Sequence, residues 1–315
     1  MPAFALRFVG QETLPSRLSD FDLEQFFTLL SDDVAAIRAQ FRSDHRLPAA
    51  LMLLFMRVAG RPLDGFNVLP RTLLRKTAEA LAVSPPSIAS LRSIYKRRQT
   101  LSKHQLWAKT YLGLRELEPD DEAALTATLL AQAADASHSD DLVQSACQWL
   151  FTRRILIPGS RRLQDWARGA FAAVEAQILS EVTAAVPPSS ASKVIDSAYS
   201  ARPNGDSTHL EWLKTPSKRH GPSTLGETFD KVRYLKEIGA HNWNLRAVAL
   251  AKQQAYARQV QARRPVKTRE IKPSRQLIEL VCFLRVTLLE LTDVALLLSS
   301  RRSQQLFREA ADKAQ

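Results

Sequence analysis

The sequence predicts an all-α chain, a multi-domain helical array with helix-turn-helix-like modules. Three observations carry this. Glycine is scarce, 10 of 315 residues, while alanine and leucine are abundant, which favours helices over a turn-rich β fold. Apolar residues recur at helical spacing along most of the chain. Few strand signals occur. At 315 residues the chain is long enough for two or three domains, and 45% hydrophobic against 24% charged residues supplies real cores and excludes wholesale disorder.

Residues 1–18 read as an extended lead-in. Ser19 or Asp20 is placed to cap a short helix carrying Leu23, Phe26, Phe27 and Leu30. Ser31 caps the next, with Asp32 and Asp33 in the first turn, where the helix dipole favours carboxylates. This pair is read as a helix start, not a catalytic dyad. Residues 46–59 are apolar nearly all round and mark the central buried helix of the first domain, stopped by Gly60.

Residues 72–104 read as helix, tight turn, second helix and basic exit. Ser84 is expected to cap the second helix with Pro85 at its first position. Ile88, Leu91 and Tyr95 share one face; Pro86, Ser90, Ser93 and Arg97 share the other, with Lys96 beside it. Small serines followed by cations suit a helix entering a DNA groove with phosphates at its edge. An ordinary helical hairpin with a solvated basic end has the same pattern. Residues 100–112 continue as a helix ended by Gly113, and the acidic stretch 115–122 marks a first boundary.

A helix over about 119–136 follows, then one capped by Ser139 with Leu142, Val143, Ala146, Trp149 and Leu150 inward. Pro158-Gly159 and a Ser160 cap lead into a long helix ending at Val186, a second helix-turn-helix-like arrangement. Arg153, Arg154, Arg161 and Arg162 bracket its connector, able to grip phosphates or to stand solvated. After a short helix to about Tyr199 comes a basic loop with Lys214, Lys218, Arg219 and His220, which show no intrahelical partner. Thr224 is expected to cap a helix ended by Gly239, and another runs from about Asn244 to 262. Residues 258–275 hold seven Lys/Arg and one Glu, broken by Pro265 and Pro273. They read as a DNA-tracking arm or a solvated linker. Two closing helices are expected, the first over 274–298 with an apolar stripe of Leu277, Leu280, Val281, Leu284, Leu288 and Leu291 that nothing C-terminal remains to cover. The expected division is 1–118, 119–200, 201–264 and 265–315.

Net charge is +12, distributed as +6 over 1–118, −4 over 119–200 and +10 over 201–315. Cationic blocks around an acidic middle point to a polyanion, above all nucleic acid. The candidate DNA contacts are Ser87, Ser90, Ser93, Lys96, Arg97, Arg98, Lys103, Arg153, Arg154, Arg161, Arg162, Lys218, Arg219, Arg263, Arg264 and Lys267. Four charges within 277–298 argue against membrane insertion. Cys147 and Cys282 sit in apolar helical patterns as buried thiols. The six histidines show no paired metal-ligand spacing, and neither a Gly-rich phosphate loop nor a nucleophile motif occurs. No catalytic residue, metal site or cofactor is assigned, and the chain is expected in the cytoplasm.

The stretch SIYKRRQTLSKH with TYLG following resembles a pattern of the Tn-three family of replicative transposases, through Tyr95, Arg98, Gln99, Thr100, His104, Leu112 and Gly113. DHRLPAALMLLFMRVAGRPL, ending at Gly60 and Arg61, RRILIPGSRRLQ, HLEWLKTPSKRHGPSTLGETFDKVRYLKEIGA and ELVCFLRVTLLELTD resemble further family segments in the same order. The resemblance covers nearly the whole chain. It implies an all-helical region that recognises the double-stranded terminal inverted repeats of a transposon, in a bacterial cell and at the nucleoid when bound. The family's catalytic domain, with three carboxylates and a need for Mg²⁺, lies further along the polypeptide. This chain is therefore expected not to cut or join DNA by itself. A homodimer through the C-terminal region or sequence beyond it is a further expected partner. A stand-alone regulator competing for the same ends, and a helical scaffold whose basic surface meets an acidic protein, are the alternatives.

Overall fold

In the computed structural model the described residues are 6–136, 138–203, 205, 207–215 and 222–314. They form fifteen α-helices and, among the described residues, no strand beyond two isolated bridges. The all-α expectation holds. The helices are α1 (Asp20–Gln25), α2 (Ser31–Gln40), α3 (Ser43–Ala59), α4 (Arg71–Leu81), α5 (Ile88–Tyr95), α6 (Arg98–Tyr111), α7 (Pro119–Ala133), α8 (Ser139–Thr152), α9 (Ser160–Ala185), α10 (Pro188–Tyr199), α11 (His209–Lys214), α12 (Pro222–Glu237), α13 (Leu250–Ala262), α14 (Pro265–Arg269) and α15 (Pro273–Ala314). The chain divides into two compact units, one within residues 1–131 and 138–170, the other within 132–137 and 171–315. The boundary expected near 118 falls inside the first unit, and that at 264 falls inside the second.

The first unit is built on α3. Its residues from Leu47 to Met56 are all buried, and α2, α4 and α6 pack on it. A helix apolar all round must be covered on every side, so its neighbours are set by its composition. The lead-in is not a free extended arm. Phe8 meets Phe26 and Phe27 edge to face, and Gly10 donates its N–H to the Ala59 carbonyl at 2.9 Å. Ser19 caps α1 through a reciprocal box with Asp22. Ser31, Ser139 and Ser160 are first helical residues, not caps; Asp33 and Asp141 instead reach back to the N–H groups of Leu30 and His138.

Gly60 closes α3 at φ 72, and a Cβ there would stand 2.8 Å from Phe151 and 2.9 Å from Ile157. Both backbone and space demand glycine. Next to it Arg61, 6% exposed, donates to the carbonyls of Gly10 and Pro158 at 3.1 and 2.7 Å. Ile157 N–H donates to Gly60 O at 2.8 Å. This Gly-Arg pair fastens the connector between α8 and α9, 97 residues away, onto the end of α3.

The turn between α4 and α5 differs from expectation. Ser87, not Ser84, caps α5 by accepting from the Ser90 N–H at 3.1 Å, and Pro85 and Pro86 stay in the connector. Ala82 takes a left-handed turn at φ 52, so α4 ends tightly and the two prolines run outside any helix.

The second unit is built on α15, one continuous helix of 42 residues instead of two. It packs on α12, α13 and the 3-10 turn Ala240–Asn242. Leu280, Val281, Leu284 and Leu288 are buried there, so the stripe expected to lie uncovered is the centre of this unit's core. α12 begins at Pro222, leaving Thr224 inside its first turn, and α13 begins at Leu250, later than expected. Among the described residues no single helix is long and apolar enough to cross a membrane. Cys147 and Cys282 are buried free thiols, and burial pushes the Cys282 thiol up to about 12.

Candidate nucleic-acid interface

The corner between α5 and α6 assembles most of the candidates of the first unit. Leu91 and Tyr95 are buried and Ile88 half-buried, which turns Ser90 and Ser93 outward. Ser87 and Ser90 hydroxyls are 2.9 Å apart, and the Ser93 hydroxyl donates to the Ser90 carbonyl at 2.7 Å. These local bonds use part of each serine's capacity and leave all three exposed. Arg92 donates to the carbonyls of Phe66 and Asn67 at 2.8 and 2.6 Å and pins α5 to the preceding loop.

Lys96 and Arg97 form the corner, Arg98 opens α6, and Lys103 follows on the same helix; all four are exposed. Among the described residues they make no ion pair and no side-chain hydrogen bond. The starts of α1, α2, α7 and α8 carry aspartates or glutamates, which complement the positive helix terminus. α6 has no acid in its first turn and three cations at its start. Like charge on a positive dipole end raises the local potential and leaves it uncompensated by the protein itself.

Beneath this corner lies a buried polar chain that the scattered histidines did not suggest. The Tyr95 hydroxyl donates to the Pro48 carbonyl at 3.0 Å and accepts from His104 Nδ1 at 3.1 Å. His104 Nε2 is then left as the acceptor for His45 Nδ1, at 3.3 Å. The protonation pattern follows from the single hydrogen on the tyrosine oxygen. Burial, with the nearby charges of His45 and Lys103, holds His104 down to about 4, so the ring is neutral and can accept. Tyr95 and His104 carry the family resemblance, and their work is to seat α5 and α6 on α3. Sequence held only a weak signal for this, the alignment of Tyr95 with the apolar face.

The connector arginines divide. Arg162 pairs with Glu122 at 2.8 Å and lies over Trp166, while Arg153 stacks on Trp149 at 4.0 Å. Arg161 and Arg154 are exposed and, among the described residues, unpaired. Arg154 stands at φ 55, a left-handed conformation costing a non-glycine residue about 1–2 kcal/mol. Four arginines close in sequence therefore supply two uncommitted cations.

Lys218 and Arg219 lie outside the described residues. Lys214, with no intrahelical partner expected, closes α11 and donates to the distant Arg263 carbonyl, and burial lowers its pKa.

The basic stretch 258–275 is neither a free arm nor a linker. Glu279, 0% exposed in the middle of α15, accepts from Arg263 in a two-pronged pair and from Arg275 Nε at 2.7 Å. Arg275 also pairs with Glu175 and donates to Gln259 at 2.9 Å. A buried carboxylate demands such partners, and the signal was a glutamate set inside an apolar stripe. Lys267 pairs with Glu270 at 2.7 Å, leaving Arg264 and Lys272 as exposed cations of this stretch without a partner among the described residues. Among the described residues no group of three or more His, Cys, Asp or Glu is placed to hold a metal ion.

Residues 11–170 match the family model described as "Domain of unknown function (DUF4158)". Over 311 residues the chain is 30% identical to the "Transposase for insertion sequence element IS1071 in transposon Tn5271" of Comamonas testosteroni, covering 99% of this chain and 32% of that protein. It is 23% identical over 227 residues to the "Transposase for transposon Tn1546" of Enterococcus faecium, covering 68% of this chain and 22% of that protein. The chain thus spans about a third or less of the curated relatives it matches. It belongs to the DUF4158 family and is a transposase-family protein.

Proposed function

We propose that the chain is the double-stranded-DNA-binding, non-catalytic part of a Tn-three family transposase and recognises the transposon's terminal inverted repeats. The observation that supports this best is the α5–α6 corner, where Lys96, Arg97 and Arg98 crowd a helix start that carries no acid. Phosphate oxygens would complete that site by meeting both the side chains and the helix terminus. Ser90 and Ser93 stand on the outward face of α5, small enough to let the helix backbone approach base edges. Arg161 and Arg264 add exposed cations to the two units. No residue of this chain is assigned to cutting or joining. The Mg²⁺ chemistry of transposition belongs in this reading to residues outside it.

The test is an electrophoretic shift with the element's terminal repeat beside a scrambled duplex at equal salt. The expected result is tighter binding to the repeat and no nicking in Mg²⁺. Equal affinity for both duplexes at moderate salt overturns repeat recognition, and end nicking by this chain alone overturns the non-catalytic assignment.

A further inference from the structure

Arg154 occupies the position after α8 where glycine is the ordinary residue. Ile155 N–H donates to the Leu150 carbonyl and Arg154 N–H to that of Phe151, each at 3.0 Å, so the turn is complete without any side chain. An arginine in that conformation keeps a strain that glycine would remove. Its guanidinium, unpaired among the described residues, stands on the wall of a cavity of about 440 Å³ within the first unit. The apolar wall is Met56, Leu112, Leu114 and Phe151, with the Tyr111 ring beside them. Arg57 also reaches the cavity, but Asp33, buried and 2.6 Å away, already neutralises it. Burial pushes the Asp33 carboxyl up, yet Arg57, the Leu30 N–H and the Tyr111 hydroxyl together hold it below its usual range.

The cavity therefore offers one uncommitted, fork-shaped cation next to an apolar wall. A bare inorganic anion would leave the wall unused, and an apolar molecule would leave the guanidinium unused. We infer that the cavity holds a single nucleotide, its phosphate on Arg154 and its base against Met56, Leu114 and Phe151. The volume suits one such group, and arginine matches phosphate in a two-pronged geometry. The inference rests on the DNA-binding reading for the source of that nucleotide, an unstacked base of bound DNA. Such a base enters a pocket most readily where it is already unpaired.

The test uses the full chain with three probes: a duplex with one unpaired thymidine, the same duplex fully paired, and free thymidine monophosphate. The wild-type chain is expected to prefer the bulged duplex about tenfold. Arg154→Gly should abolish that preference while raising the urea midpoint of the first unit, since strain is relieved. Leu114→Trp, which fills the cavity, should also abolish it. Competition by the free monophosphate would assign the cavity to nucleotides in general; bulge preference without competition would assign it to nucleotides within DNA. Equal affinity of the wild-type chain for bulged and paired duplexes without competition overturns the inference, as does an unchanged preference in Arg154→Gly. Paired-repeat binding that persists in that case leaves the functional reading standing; loss of all DNA binding removes both.

Discussion

The two units place the cations of their most basic stretches differently. In the first, Lys96, Arg97, Arg98 and Lys103 stand on the surface of α5 and α6 with no counter-ion among the described residues. In the second, Arg263 and Arg275 turn inward to Glu279. Lys252, 1% exposed, donates to the carbonyls at the end of α7, including Ala133 at 3.1 Å. Lys231, similarly buried, donates to the Thr215 carbonyl at 2.7 Å and pairs with Glu227. Part of the charge of the more basic stretch of sequence is thus spent inside the fold. Net charge measures what a chain carries; tertiary structure decides how much of it can meet a polyanion.

The largest expected effect breaks the second unit. Glu279→Ala leaves two half-buried arginines around a hole and should cost roughly 3 kcal/mol, read in urea unfolding. A loss below about 1 kcal/mol would show that Arg263 and Arg275 are free for other partners. Acid should act on the first unit. His104 is held at about 4 against an ordinary 6.5, so its neutral form stabilises the fold above pH 6.5. That contribution is lost as pH falls from about 6.5 to about 4, amounting to about 3 kcal/mol at its limit. His104→Phe should flatten this acid limb, measured as urea midpoint against pH.

Binding to DNA separates the two units directly. Replacing Lys96 and Arg97 with alanine should weaken all duplexes and reduce the salt slope of binding by about 2, near 0.9 per phosphate contact. Lys267→Ala should leave the slope unchanged, because that lysine is paired with Glu270. Equal slopes for both variants would erase the difference between the units. The smallest effect is at the cap. Ser87→Ala should cost about 1 kcal/mol in thermal or urea stability, while Ser84→Ala should cost almost nothing.

The helices were legible because their signals are local. Apolar spacing along α3, the carboxylates in the first turns of α2 and α8, and the stop at Gly60 each act within about four residues. So the all-α class, the central buried helix and the turn between α4 and α5 follow from sequence, while which serine caps, where the prolines sit and the continuity of α15 do not. The candidate site was legible as a set of cations but not as an interface. What separated Arg97 from Arg263 was a carboxylate 16 residues from Arg263 on another helix. His45 meets His104 across 59 residues, and Arg61 holds the Pro158 carbonyl across 97. Such pairings arise only when helices pack, because a buried polar group takes whichever partner the packing brings within about 3 Å. Local pattern sets the helices and the charge they carry; packing selects which charges are spent inside and which remain at the surface.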